Sequence, residues 1–284
     1  MRIRKSAFLD QAYYHLPGTQ GTSYPSPLRP SPNGTGDGGE GFTFHQFQIF
    51  SGLNCITSGI LRYNQPTFLE ELVTEISSET RFLHAVEMGL GAWQWGDRMV
   101  WQYGQGYGDE DVHKAFLASI SEGIRFVDTA EVYGSGRSER LLGEFLKQTE
   151  QPILVATKYA PYPWRFGKNA LVRALKASLE RLGVESVDLY QIHFPGITMS
   201  TDTLMEGLAE CVKSGMTRTV GVSNFGQTRM LAAYSALARQ NIPLASNQVE
   251  YSLLHRQPEV NGVLDACREL GVTLIAYSPL AMGA

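Results

Sequence analysis

Residues 153–158 read ILVATK: a run suited to the inside of a sheet, ending in an ammonium. The same figure recurs on both sides. Upstream, Ile124–Val127 ends at Asp128. Downstream, Val187–Ile192 ends at His193, Thr219–Val222 ends at Ser223 and Asn224, Ala245–Asn247 leads into Gln248, and Val272–Ala276 ends at Tyr277 and Ser278. A parallel barrel collects its strand ends on one rim, and that rim is where such folds carry out chemistry. If these runs are barrel strands, polar residues far apart in the chain converge on one site.

The segments between the runs have helical spacing. Asp109–Glu122 places Val112, Phe116, Leu117 and Ile120 together. Ser138–Lys147 follows the Gly134–Gly136 turn and groups Leu141, Leu142, Phe145 and Leu146. Asn169–Leu182 repeats the pattern and stops at Gly183, a helix-ending signal. Thr203–Ser214, Gln227–Gln240 and Gln257–Leu270 follow the same rule. With Val86–Met88 as the first strand, the count is seven strands and six intervening helices. Alternation at this pitch implies a parallel sheet with right-handed crossovers. A doubly wound sheet shares the alternation, but polar residues here close nearly every strand, not those at one switch point alone. The expected fold is therefore α/β, a TIM (β/α)8-type barrel that is incomplete, with about seven of eight strands.

The 284 residues carry a net charge of −4 and are 43% hydrophobic, enough for one large core. The mild acidity offers no basic footprint for nucleic acid, and no apolar run is long enough to span a bilayer. The three cysteines, Cys55, Cys211 and Cys267, are scattered without a CxxC, which fits a reducing compartment better than a disulfide framework or a zinc site. The pattern divides the chain near residue 80. Residues 1–80 read as a largely disordered or irregular extension and residues 81–284 as the barrel. Within the extension, 16–41 is rich in Pro, Gly, Ser and Thr, 42–50 (FTFHQFQIF) alternates as a strand does, and Thr67–Ser77 has the look of a short helix. Arg2, Arg4 and Lys5 with few acids before position 70 are weakly like a transit peptide; a dispensable tail, or a reading frame begun upstream of the true start, is the plainer reading.

Asp128, Tyr133, Lys158 and His193 form a chemically coherent set. A phenol is a poor acid, with a free pKa of about 10. A nearby ammonium favours the phenolate and lowers that value. Lys158 supplies such a charge, Asp128 holds it, and His193 orients a carbonyl oxygen that the phenol protonates as hydride reaches the carbon. No metal-ligand spacing accompanies them. Trp93, Trp95, Trp101 and Trp164 all fall in predicted rim loops. Trp93 and Trp164, with Phe194, make a pocket for an apolar or aromatic carbonyl, or else tryptophans simply pack the barrel mouth. GQGYG at 104–108 lacks the third glycine of a dinucleotide fingerprint and reads as a flexible loop.

In order and approximate spacing, FVDTAEVYGSGRSERLLGEFL, ILVATKYA, VDLYQIHFP, VGVSNF, NQVEYSLL and LIAYSPLA resemble the successive signatures of the aldo-keto reductases. The resemblance covers residues 86–284, about 70% of the chain. GLGAWQWGDRMVWQYG resembles the subgroup found in cyanobacteria and plant plastids. The family implies an NADPH-dependent oxidoreductase that reduces aldehydes or ketones, acting in the cytoplasm or alternatively in a plastid. Asp128, Tyr133, Lys158 and His193 match its catalytic tetrad, with Tyr133 as general acid. Ser223, Asn224 and Gln248 match its ligands for the nicotinamide carboxamide, Tyr277 its stacking ring, and Ser278 and Leu280 the start of its pyrophosphate loop. The family's eighth strand and following helix carry basic residues for the adenosine phosphate. They have no counterpart here, which leaves NAD open beside NADP. Two other readings accompany the enzyme: a nicotinamide-binding regulatory subunit with little turnover, and an inactive, incomplete gene product whose first and last strands expose bare edges and aggregate. Filling the gap with 42–50 would require a parallel strand in register, which the reading disfavours.

Overall fold

The computed structural model of the chain describes residues 47–50 and 80–283. The expectations for 16–41, Thr67–Ser77 and Cys55 lie outside these. The strands are β1 (Phe47–Phe50), β2 (Met88–Gly91), β3 (Phe126–Asp128), β4 (Leu154–Tyr159), β5 (Val187–Ile192), β6 (Thr217–Ser223), β7 (Leu244–Glu250) and β8 (Thr273–Tyr277). The helices between them are α1 (Asp109–Ser121), α2 (Arg137–Leu146), α3 (Asn169–Leu182), α4 (Thr201–Lys213), α5 (Gln227–Ala238), α6 (Gln257–Val260) and α7 (Val263–Leu270).

β2 to β8 are the seven parallel strands of an α/β barrel, each paired with its successor. Their two outer edges are not bare. β1 lies between them and runs antiparallel to both, pairing Gln48 with Gly89 and Ile49 with Ala276, so that the ring closes. The expectation that a filler from 42–50 must run parallel is corrected by this finding. An antiparallel strand satisfies the same backbone donors and acceptors, and the right-handed crossover rule governs only connections between parallel strands.

Local signals explain several helix bounds. At α1 the Gly108 amide donates to Asp111 at 2.9 Å, and Asp109, Glu110 and Asp111 complement the helix dipole. At α4 the Ser200 hydroxyl accepts from the Thr203 amide at 3.1 Å. The single helix expected over Gln257–Leu270 is in fact α6 and α7, broken where Gly262 takes a φ of +79° and the Asn261 side chain accepts from the Val263 amide. The first parallel strand is Met88–Gly91, starting two residues later than the expected Val86 start.

Strand alternation separates two apolar clusters. Val127, Val155, Tyr190, Val220, Val222 and Leu274 face outward and pack under the helices, in the large cluster that includes Leu171, Leu175 and Leu182 of α3. Phe126, Ala156, Leu189, Ala245 and Ile275 face inward, with Leu83 among them at 0% exposure. Two residues further along the same strands lie Asp128, Lys158, Gln191 and Tyr277. The barrel interior is thus apolar in its lower layer and polar in the layer at the strand ends.

Candidate active site

The rim loops continue the ladder beyond the strands. The amide of Thr129 donates to Ala156 O, that of His193 to Tyr159 O, and that of Asn224 to Gln248 O. These bonds fix where each polar residue emerges. Tyr133 stands on a single turn, Tyr133–Gly136, in which Gly134, Ser135 and Gly136 all take positive φ. A Cβ at Gly134 would lie 2.5 Å from Gly96 O, so only glycine lets this turn approach the first rim loop.

Lys158 is fully buried and ion-paired with Asp128, itself 1% exposed. Its ammonium also donates to Thr129 O at 2.9 Å and to Tyr133 Oη at 3.4 Å. All three N–H donors are therefore matched by oxygens, the arrangement that keeps a buried ammonium charged. Burial pulls Lys158 below the usual lysine range, and the Asp128 carboxylate opposes that pull. Tyr133 is half-buried, with its hydroxyl beside the Lys158 ammonium. Burial first, and the Asp128 charge second, push the phenol well above its usual value. This reverses the expected direction. The ammonium is largely neutralised by its own carboxylate partner, so desolvation dominates and the phenol keeps its proton.

His193 packs edge-on against Tyr133, with ring centroids 5.4 Å apart. Burial, then the Lys158 charge, lowers its pKa to about 3, so the imidazole is neutral near pH 7. Its Nδ1 is buried with no hydrogen-bond partner among the described residues.

Ser223 and Gln248 are buried beside this group, at 1% and 2% exposure. The Asn224 side chain joins three strand ends: its amide donates to His193 O and Ser223 Oγ, both at 3.1 Å, and its oxygen accepts from the Tyr277 hydroxyl at 3.0 Å. Gln248 donates to Asp128 Oδ1 at 3.2 Å. Ser278 takes a φ of +50° and its carbonyl accepts from Ala281, turning the chain at Leu280. A cleft of about 220 Å³ opens beside Asn224, Glu250 and Tyr277. A hydroxyl, two carboxamides and a flat ring suit a pyridine carboxamide, and the Ser223 hydroxyl still has its own proton to donate.

The aromatic residues divide. Trp93 stacks on Tyr133 at 6.1 Å, and Phe194 lies 5.7 Å from His193. Trp164 instead stacks on Tyr162 at 4.8 Å, 70% exposed. Trp95 leaves the rim altogether and packs between Phe116 and Phe145 in the core. The GQGYG loop is pinned, not loose. Tyr107 shares its hydroxyl proton between Gln94 O and Trp101 O, Tyr103 bonds Asp109, and Arg137 grips Asp109 with 2.6 and 2.7 Å contacts.

Three polar residues that the sequence reading passed over belong to this constellation: Thr129, Gln191 and Ser246. A signal was present, since Gln191 and Ser246 each lie two positions before a residue already singled out, on the same strand face. No cluster of His, Cys, Asp and Glu suited to a metal ion occurs among the described residues, and none of their helices is long and apolar enough to cross a membrane.

Known proteins resemble this chain along the barrel sequence. The chloroplastic pyridoxal reductase of Arabidopsis thaliana is 38% identical over 209 residues, which is 69% of this chain and 57% of the relative. The 6-dehydroglucose reductase of Novosphingobium aromaticivorans is 36% identical, covering 61% of this chain and 60% of the relative. Among solved structures, an aldo-keto reductase from Klebsiella pneumoniae in complex with NADPH is 30% identical with a TM-score of 0.59, covering 68% of this chain and 63% of that one. The chain spans somewhat under two thirds of the length of these relatives. The model of the aldo/keto reductase family matches residues 87–284, well over half the sequence. The chain belongs to the aldo/keto reductase family.

Proposed function

We propose that this chain is an NADPH-dependent oxidoreductase that reduces aldehydes or ketones to alcohols, with Tyr133 as the proton donor. The observation that carries the proposal is the meeting of Tyr133, Lys158 and Asp128 in one hydrogen-bonded line at the barrel mouth, with His193 against the phenol. Ser223, Asn224 and Gln248 would hold the nicotinamide carboxamide, Tyr277 would flank the ring, and Ser278 with Leu280 would meet the pyrophosphate. When bound, the cofactor supplies hydride.

The remaining work falls to the protein's own groups. Tyr133 enters the reaction protonated, because burial disfavours its phenolate. Neutral His193 offers a carbonyl oxygen an N–H without adding a charge beside Lys158. As that oxygen gains negative charge the Tyr133 proton moves to it, and the phenolate left behind accepts from the Lys158 ammonium. Trp93 and Phe194 wall the approach with aromatic surface, which favours an apolar or aromatic carbonyl. We place the protein in a reducing compartment, cytoplasm or plastid, a reading that the buried free thiols of Cys211 and Cys267 support.

The test is consumption of NADPH with a panel of aliphatic and aromatic aldehydes. Tyr133→Phe keeps the ring and removes the proton, and the rate is expected to fall by about 10²–10⁴. A variant as fast as the parent overturns the role of Tyr133. Tight NADPH binding without turnover across the panel points instead to a nicotinamide-binding subunit.

A further inference from the structure

We infer that Gln191, locked in place by Ser246, is a positioning residue that aims the Asp128 carboxylate at Lys158. The inference rests on the reading of Lys158 and Tyr133 just given. Lys158, Gln191, Gly221 and Ser246 are register neighbours across β4, β5, β6 and β7, one row of the barrel interior. Asp128 reaches this row from β3. Its Oδ2 meets Lys158, while its Oδ1 accepts from Gln191 Nε2 at 3.3 Å and from Gln248 Nε2 at 3.2 Å. The other end of the Gln191 amide accepts from Ser246 Oγ at 3.2 Å. The carboxylate fixes which way the amide points: Asp128 can only accept, so the Gln191 NH2 must face it, and the amide oxygen is left to accept from the Ser246 hydroxyl. Gly221 makes the room, since a Cβ there would lie 2.2 Å from Ser246 Oγ and 3.2 Å from Gln191 Cγ. Gln191 and Ser246 are both fully buried, out of reach of bulk water.

The geometry has a direct consequence for Tyr133. A carboxylate held at both oxygens cannot rotate, and the ammonium it anchors keeps its third N–H on the phenol. Gln191 and Gln248 share Oδ1; without Gln191 that oxygen rests on Gln248 alone, and the carboxylate can turn toward β7, taking Lys158 with it. Gln191 touches neither hydride path nor carbonyl; it acts through Asp128.

Gln191→Met preserves side-chain length and removes the donor. In the full chain, kcat for carbonyl reduction is expected to fall about ten- to hundredfold, the range of a lost hydrogen bond to a charged group. KM for the carbonyl and NADPH affinity, read by protein fluorescence, should stay within about twofold of the parent. Gln191→Glu separates positioning from packing. It sets a carboxyl against Asp128, and two facing carboxylates repel unless one proton is shared. Its kcat should therefore recover as pH falls from 8 to about 5, a limb absent from the parent. Parent-like kcat in Gln191→Met overturns the inference. So does an equal loss in both variants with pH profiles parallel to the parent, which would mean packing alone. If the parent chain shows no turnover, the functional reading fails separately, and a crystal structure of Gln191→Met then decides: a swung Asp128 carboxylate supports positioning, an unmoved one refutes it.

Discussion

The neutral imidazole of His193 makes the stability of the barrel depend on acid in a calculable way. Its pKa is lowered to about 3 in the folded chain, by burial first and the Lys158 charge second, against about 6.5 unfolded. Below pH 6.5 the unfolded chain takes up a proton that the folded chain refuses. The stability this group contributes is therefore complete above the unfolded value and is lost as pH falls toward 3. Between pH 7.5 and 4.5 the difference amounts to about 3 kcal/mol. His193→Asn removes the titration while keeping a polar side chain. Urea unfolding of parent and variant at both pH values isolates the effect, because carboxylates elsewhere titrate equally in both proteins and cancel in the difference. The parent should lose about 3 kcal/mol more than the variant on acidification. A loss equal in the two proteins, to within about 0.5 kcal/mol, would show that His193 titrates normally and that the site is wetter than the buried Lys158 and Nδ1 imply.

Two further outcomes test the scaffold. Glu139 is fully buried, accepting from Thr157 Oγ1 at 2.6 Å and from Arg181 Nε at 2.5 Å; Glu139→Ala strands the guanidinium and should cost about 3–5 kcal/mol by urea unfolding, with a change below 1 kcal/mol counting against a buried, paired site. Leu83 fills the lower barrel layer beside Phe126 and Ile275, and Leu83→Ala should lower unfolding stability by about 2–5 kcal/mol, whereas an unchanged midpoint would mean that this layer is not sealed from its end.

The periodicity of the sequence was enough to place the parallel strands and most helices, because hydrophobic spacing is set locally. Asn169–Leu182 matches α3 residue for residue, closed by Gly183 as the composition implies. The failures lie where distant parts of the chain decide. The strand in Phe47–Phe50 depends on edges contributed by β2 and β8, and nothing within 42–50 specifies its direction. Trp95 looked like a rim residue because its neighbours Trp93 and Trp101 are, but Phe116 and Phe145 from two helices enclose it. Asn261–Gly262 is a local turn signal, and the helical pattern on either side hid it. The direction of the Tyr133 shift required the depth of its hydroxyl, and the role of Gln191 required the Asp128 oxygen that faces it. Residue types named the chemistry; burial set its signs.

The central claim is that a nicotinamide bound beside Tyr277 gives hydride to a carbonyl while Tyr133 gives the proton. The most direct measurement is a single turnover with NADPH deuterated at one face of the reactive carbon, followed by mass analysis of the alcohol. The account expects deuterium on the carbinol carbon from one face only, with transfer lost in Tyr133→Phe although that variant still binds NADPH. Unlabelled alcohol from both faces, or transfer at the parent rate without the phenol, would contradict it.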